Sequence, residues 1–326
     1  GYTMNLARLG VLCASITIAA CGSGGDSFGG TEPSTSTFAI TSANATTATR
    51  ISWEALVASG DFGDLGGALG LTAAAPGGLT KTSMASKASG ALVTVIQLDP
   101  FGPLVEPCLS DGIVTTTGEV AVPGILTVGD TFKVVYELCD DGVGEVIDGI
   151  VDFTVREFTV DLTTGLYMVS MDSVLTNLQV LTGTDTITSN GDVTITLDTT
   201  QAPSIEAGAS GTSMTVDSNA SSETLSNYTS RQTVDGSVQE LPFTLSASGT
   251  LDSTQLAGVV QYSTPVTFAG QGADYPSSGV LLVEGENSSA RLTAIDNVSV
   301  TIEVDANGDG VIDDTINTTS ADLTSS

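Results

Sequence analysis

From Ala91 onward the chain repeats with a period of two, and this limits the fold more than any other feature. Phe132, Val134, Tyr136 and Leu138 alternate with Lys133, Val135, Glu137 and Cys139, and Val193, Ile195 and Leu197 with Asp192, Thr194, Thr196 and Asp198. Val298, Val300, Ile302 and Val304 alternate with Ser299, Thr301, Glu303 and Asp305 in the same way. One face of each segment is apolar and the other wet, the pattern of half-buried antiparallel strands. Asn-Gly and Asp-Gly pairs between the segments favour tight hairpins. The expected fold is all-β, an antiparallel meander curled into a sandwich or an open barrel, since alternation looks the same in both. Between Val151 and Val160 the apolar phase slips at Arg156-Glu157, which predicts a β-bulge. Gly149, Gly191, Gly236 and Gly279 each precede a strand-like run and are read as strand openings.

Ahead of the strands, one short helix is expected over about 44–59. Ser42 and Asn44 are candidate caps, Ile51, Ala55 and Ala58 recur at helical spacing, and Gly60 stops the run. Trp53, the single tryptophan, reads as a packing anchor within it. Residues 62–87 are rich in Gly and Ala without periodicity and read as irregular. Free sheet edges invite pairing with other chains, and the helix or the segment from Cys108 to Cys139 is expected to cover them.

The N-terminal stretch predicts where such a domain works. Arg8 precedes an apolar run from Leu9 to Ala20, too short to span a bilayer as a helix and laid out as a signal peptide over 1–20. Ile18-Ala19-Ala20-Cys21 followed by Gly22 resembles the lipobox of bacterial lipoproteins. The resemblance implies that the Cys21 thiol becomes a diacylglyceryl thioether and that the new N-terminus is acylated after cleavage. More than one acyl chain anchors stably, at ~0.8 kcal/mol per buried methylene. Gly22 stands where this family often carries an inner-membrane retention aspartate, so the resemblance implies the outer membrane. Residues 21–43, rich in Gly, Ser and Thr, form the flexible tether, and 44–326 a single β-rich domain.

Two of the four cysteines fall in the export segment, leaving Cys108 and Cys139 as an even pair in an oxidising compartment. A structural disulfide is the expected outcome. The balance of 38 acidic against 8 basic residues, formal net charge −30, repels phosphate backbones and excludes nucleic acid as a partner. The same acidity suits divalent cations, or simply keeps the surface soluble.

Asp305-Ala306-Asn307-Gly308-Asp309-Gly310-Val311-Ile312-Asp313 resembles the calcium loop of EF-hands and dockerin-like modules, spanning 305–316. A hard cation needs many oxygens around a tight turn. By match to the motif, Asp305, Asn307, Asp309 and Asp313 offer side-chain oxygens, Val311 a backbone carbonyl, and Gly310 the bend. Ile312 is expected to pin the loop to its neighbour. Ile316 replaces the motif's final glutamate, so the resemblance implies weak binding, on the order of 10⁻⁴–10⁻³ M.

The chain holds no histidine, which removes Ser-His-Asp, Cys-His and the common zinc hydrolase chemistries. Together the lipobox, the separated cysteines, the Gly-led strands and the acidic loop resemble uncharacterised β-rich lipoproteins of Gram-negative bacteria. The expectation is a non-catalytic, lipid-anchored envelope protein, structural or adhesive, with a structural calcium and a membrane, envelope-protein or glycan partner. The alternatives are a carrier of an apolar ligand such as a lipid and a glycan hydrolase using two carboxylates.

Overall fold

A computed structural model describes residues 38–61 and 103–324, apart from 123–125, 141, 143–144, 238–240 and 273–274. The expected signal peptide, Cys21, most of the expected tether, the 62–87 stretch and the expected strand start near residue 91 lie outside the described residues.

Helix α1 (Ala45–Asp61) is followed by β1 (Leu104–Pro107), β2 (Asp111–Glu119), β3 (Thr131–Asp140), β4 (Glu145–Val160), β5 (Tyr167–Thr182), β6 (Asp185–Asp198) and β7 (Ser204–Asp217). Then come β8 (Ser222–Asp235), β9 (Pro242–Ser253), β10 (Gly258–Gln271), β11 (Ser278–Gly285), β12 (Ser288–Ala294), β13 (Ser299–Asp305), β14 (Asp314–Thr319) and a last short helix, α2 (Ser320–Thr324). The fourteen strands among the described residues form one antiparallel sheet in sequence order, each bonded to its neighbours. The meander is therefore a single open sheet with β1 and β14 as its edges, not a sandwich of two sheets.

The period of two sets which face is buried. On β3 Phe132, Val134 and Tyr136 are buried, as are Val193, Ile195 and Leu197 on β6 and Val300, Ile302 and Val304 on β13. These side chains join one continuous core on the inner face. The outer face is polar and laced across strands. Lys133 meets Asp152 at 3.8 Å and Arg291 meets Glu303 at 3.8 Å, while Arg156 pairs with Asp172 and Arg231 with Glu206. Arg50 pairs with Glu54 on α1. Every basic side chain among the described residues thus has an acidic partner, so the uncompensated surface charge there is negative. Exposed pairs of this kind contribute little stability each.

A crease runs across the sheet where the pairing register slips on one strand pair after another. The slips lie between Tyr136 and Cys139 on β3–β4, Asp148 and Ile150 on β4–β5, Leu175 and Leu178 on β5–β6, and Gly191 and Thr194 on β6–β7. Bulges add local twist and bend the strands. Gly149 (φ +122°) and Gly191 (φ +146°) sit on this crease. A Cβ at either would come within 2.3 Å of a carbonyl oxygen on the facing strand, that of Asn177 or Ser213. Both therefore lie inside β4 and β6 rather than opening them, and Gly236 falls in the turn after β8, while Gly279 is the second residue of β11. The bulge expected at Arg156-Glu157 is present, as a slip between Val155 and Glu157.

Helix α1 packs on the inner face against β7, β8, β9, β11, β12 and β13. It does not cover an edge, since an Ala-rich helix carrying a tryptophan fits the concave core better than a strand rim. Trp53 (5% exposed) meets the Phe268 ring edge-on at 4.9 Å and leans on Tyr275 at 4.8 Å. Of the expected stripe, Ile51 is buried, Ala55 is only half-buried, and Leu56 takes the deep position instead. Asn44 braces the approach to the helix, accepting from Thr41 N–H at 2.7 Å and donating to Ala39 O at 3.0 Å. Just before it, Phe38 N–H donates to Val259 O (3.1 Å) and Phe38 O accepts from Glu286 N–H (2.9 Å). Ile40 N–H donates to the buried Ser288 Oγ at 2.8 Å. The N-terminal strap is thereby stitched to the starts of β10 and β12.

Cys108 and Cys139 form a disulfide with Cα atoms 5.4 Å apart. It joins the turn after β1 to the end of β3, tying the edge of the sheet to its interior.

Candidate functional site

The acidic loop expected to hold calcium is the turn between β13 and β14, covering 305–313. Ile316 belongs to β14, opposite Ile302, and not to the loop. Asp305, at the last position of β13, is largely buried in the turn it organises. Its Oδ1 accepts from Gly308 N–H (2.7 Å) and Asn307 N–H (3.3 Å), and its Oδ2 from Gly310 N–H (2.8 Å). Burial alone raises this carboxyl, and the N–H groups of Gly310, Gly308 and Asn307 outweigh it, so Asp305 is held below the ordinary carboxylate range.

The next residues repeat the device on a smaller scale. Asn307 Oδ1 accepts from Asp309 N–H (2.9 Å), Asp309 Oδ1 from Val311 N–H (2.8 Å), and Asp313 Oδ2 from Ala306 N–H (2.8 Å). Alternating Asx turns thus coil the loop, with Gly308 and Gly310 in the left-handed region. Asn307, Asp309 and Asp313 are exposed, and among the described residues no three acidic or cysteine side chains converge as a group that holds a metal. Ile312 is 46% exposed and does not pin the loop, because the turn points it to solvent rather than toward the core.

Carboxylates elsewhere are engaged in the same kind of work. Turn N–H and hydroxyl donors hold Asp161, Asp235, Asp296 and Asp322 below the ordinary range, the largest contributions coming from Thr163, Ser237, Ser299 and Thr319. At Asp192 desolvation opposes the shift, and the donors of Thr212 and Ser213 outweigh it. Asp130 is buried and closes the β2–β3 loop by accepting from Ala121 N–H, Thr127 N–H and Thr127 Oγ. That role was open to sequence reasoning, since Gly129-Asp130 marks a turn before β3.

Two depressions accompany the sheet. One, of about 510 Å³, is flanked by Asp235, Phe243, Gln271, Tyr275 and Asn297, and the other, of about 590 Å³, by Asp111, Ile113, Glu137, Leu138 and Asp148. Both open to solvent. All aromatic side chains among the described residues belong to the core or pack against it. No known protein family, curated protein or solved structure matches the chain.

Proposed function

We propose that the protein is a non-catalytic, lipid-anchored component of a bacterial cell envelope, structural or adhesive, held at the outer membrane through Cys21. The observation that carries this reading is the work of the carboxylates: Asp161, Asp192, Asp235, Asp296, Asp305 and Asp322 serve as turn acceptors and are held below the ordinary range. A glycosidase needs the opposite, a carboxylic acid kept protonated by burial or by a second charge. Among the described residues the aromatic side chains belong to the core or pack against it rather than standing free as a platform for a sugar ring. The stitched strap at Phe38 supports the anchor, because a pull on the tether meets two backbone hydrogen bonds before it reaches α1.

The test is production of the full chain in a Gram-negative host fed a clickable fatty acid. The expected result is acylation and flotation with outer-membrane vesicles, both lost in Cys21→Ser. An unacylated protein that stays soluble overturns the anchor, and turnover on a broad glycan panel overturns the non-catalytic role.

Calcium belongs to the same proposal. Asp305, Asn307, Asp309, Asp313 and the Val311 carbonyl would hold it, and the preformed Asx turns supply a coil whose free lone pairs a hard cation can gather. Weak binding at about 10 mM calcium stabilises the folded state by about 1.4–2.7 kcal/mol. Thermal melts are expected to rise on calcium addition for the native chain and not for Asp309→Ala. An identical response in both removes calcium from the loop.

A further inference from the structure

An open sheet has two rows of backbone groups facing solvent, and here the two rows are guarded differently. At β1, Cys108 N–H donates to Gly112 O (3.1 Å), so the alternation of an antiparallel ladder turns Pro107 outward. Proline has no N–H to offer, and β1 is only four residues long. That edge is blunted by its covalent structure, with Val105 as the outward N–H donor of β1.

β14 is closed by side chains instead. Ser320 N–H donates to Val298 O (2.7 Å), so residues 314, 316 and 318 face β13 and the N–H groups of Thr315, Asn317 and Thr319 face out. Thr315 N–H donates to Asp314 Oδ1 (2.8 Å) and Thr319 N–H to Asp322 Oδ2 (3.1 Å). The hydroxyls of Thr318 (2.8 Å) and Thr319 (2.7 Å) donate to the same Asp322 oxygen. Leu323, fully buried, keeps α2 docked so that this carboxylate stays in place.

We propose that the outer edge of β14 is a pairing surface for a second copy of this chain, and that Asp314 and Asp322 hold it shut. The outward residues Thr315, Asn317 and Thr319 read the same in both directions about Asn317. An antiparallel pair related by a two-fold axis there sets Thr315 against Thr319 of the second copy, with every outward donor meeting an acceptor. The same register brings Asp314 and the second copy's Asp322 to one Thr315–Thr319 pair, so the two acids repel the second copy as well as capping the donors they hold. The inference goes beyond the envelope reading and does not rest on it.

Sedimentation velocity of the full chain tests it. The native protein is expected to remain monomeric, and Asp314→Ala with Asp322→Ala to show a concentration-dependent doubling of mass that Asn317→Pro abolishes. In the double-alanine background Asn317→Cys should form a linked dimer through its own thiol, since hydrogen-bonded partners lie about 5.5 Å apart at Cα, within disulfide reach. A persistently monomeric double variant with native circular dichroism overturns the proposal, as does a dimer insensitive to Asn317→Pro. Should the double variant lose its native spectrum, Asp322→Ala alone, which leaves Leu323 in place, is cross-linked at Asn317→Cys. A linked dimer supports the guarded edge, and none overturns it.

Discussion

Replacing Trp53 with alanine is expected to destabilise the protein by about 3–5 kcal/mol, the range for truncating a large buried aromatic. The indole links α1 to the sheet, edge-on to Phe268 and leaning on Tyr275. Its removal leaves a cavity beside both rings. Ser52, one residue earlier, gives the contrast, because its Oγ is buried without a hydrogen-bond partner. Ser52→Ala removes that unsatisfied group and is expected to leave stability unchanged or raised. Urea midpoints of the two variants measure both. A Trp53→Ala loss below about 1 kcal/mol, well short of the range for such truncations, makes the docking of α1 incidental to the fold.

The second large effect is expected from the disulfide. Replacing Cys108 and Cys139 by serine opens a loop spanning a sequence separation of 31. The chain-entropy account puts the loss at about 3–4 kcal/mol. Structure should be lost first where the staple acts: β1 is short and mostly exposed, and among the described residues it is held by its pairing with β2 and the bond at Cys108. Amide exchange in β1 and β2 is therefore expected to accelerate before the rest of the sheet responds. Uniform acceleration would mean that the bond stabilises the whole sheet rather than its edge.

The alternation of apolar residues made β3, β6 and β13 legible, and the phase slip at Arg156-Glu157 made one bulge legible too. Gly149 and Gly191 were harder to read, because a glycine before a β-branched run looks the same whether it opens a strand or bends one. Only the facing carbonyls of Asn177 and Ser213 distinguish the two, and they lie 20 to 30 residues away. The face of α1 was misread at Ala55 because apolar residues occur on several sides of the helix, and the partners that choose the phase, Phe268 and Tyr275, are far along the chain. At the acidic loop the motif's spacing was readable, but the same side chains that would gather a cation also cap their own backbone. Spacing alone does not separate those uses. The guard at Asp322 had a local signal, Thr319 three residues before an acid, the pattern of a helix cap. Its consequence for an edge strand depends on the sheet ending there.

The two kinds of contact in this molecule differ sharply in chain distance. Every strand pairs with its sequence neighbour, whereas the strap and α1 reach across to β11, β12 and β13, as in the Ile40 to Ser288 bond between residues 248 apart. Neighbour pairing can advance hairpin by hairpin with little loop entropy to overcome, while docking of the helix closes nearly the whole chain. In a chain delivered from its N-terminus, α1 arrives first and waits longest. Its landing surface is complete only once β13 is in place, which puts the burial of Trp53 among the last steps of folding and leaves the inner face of the sheet exposed until then.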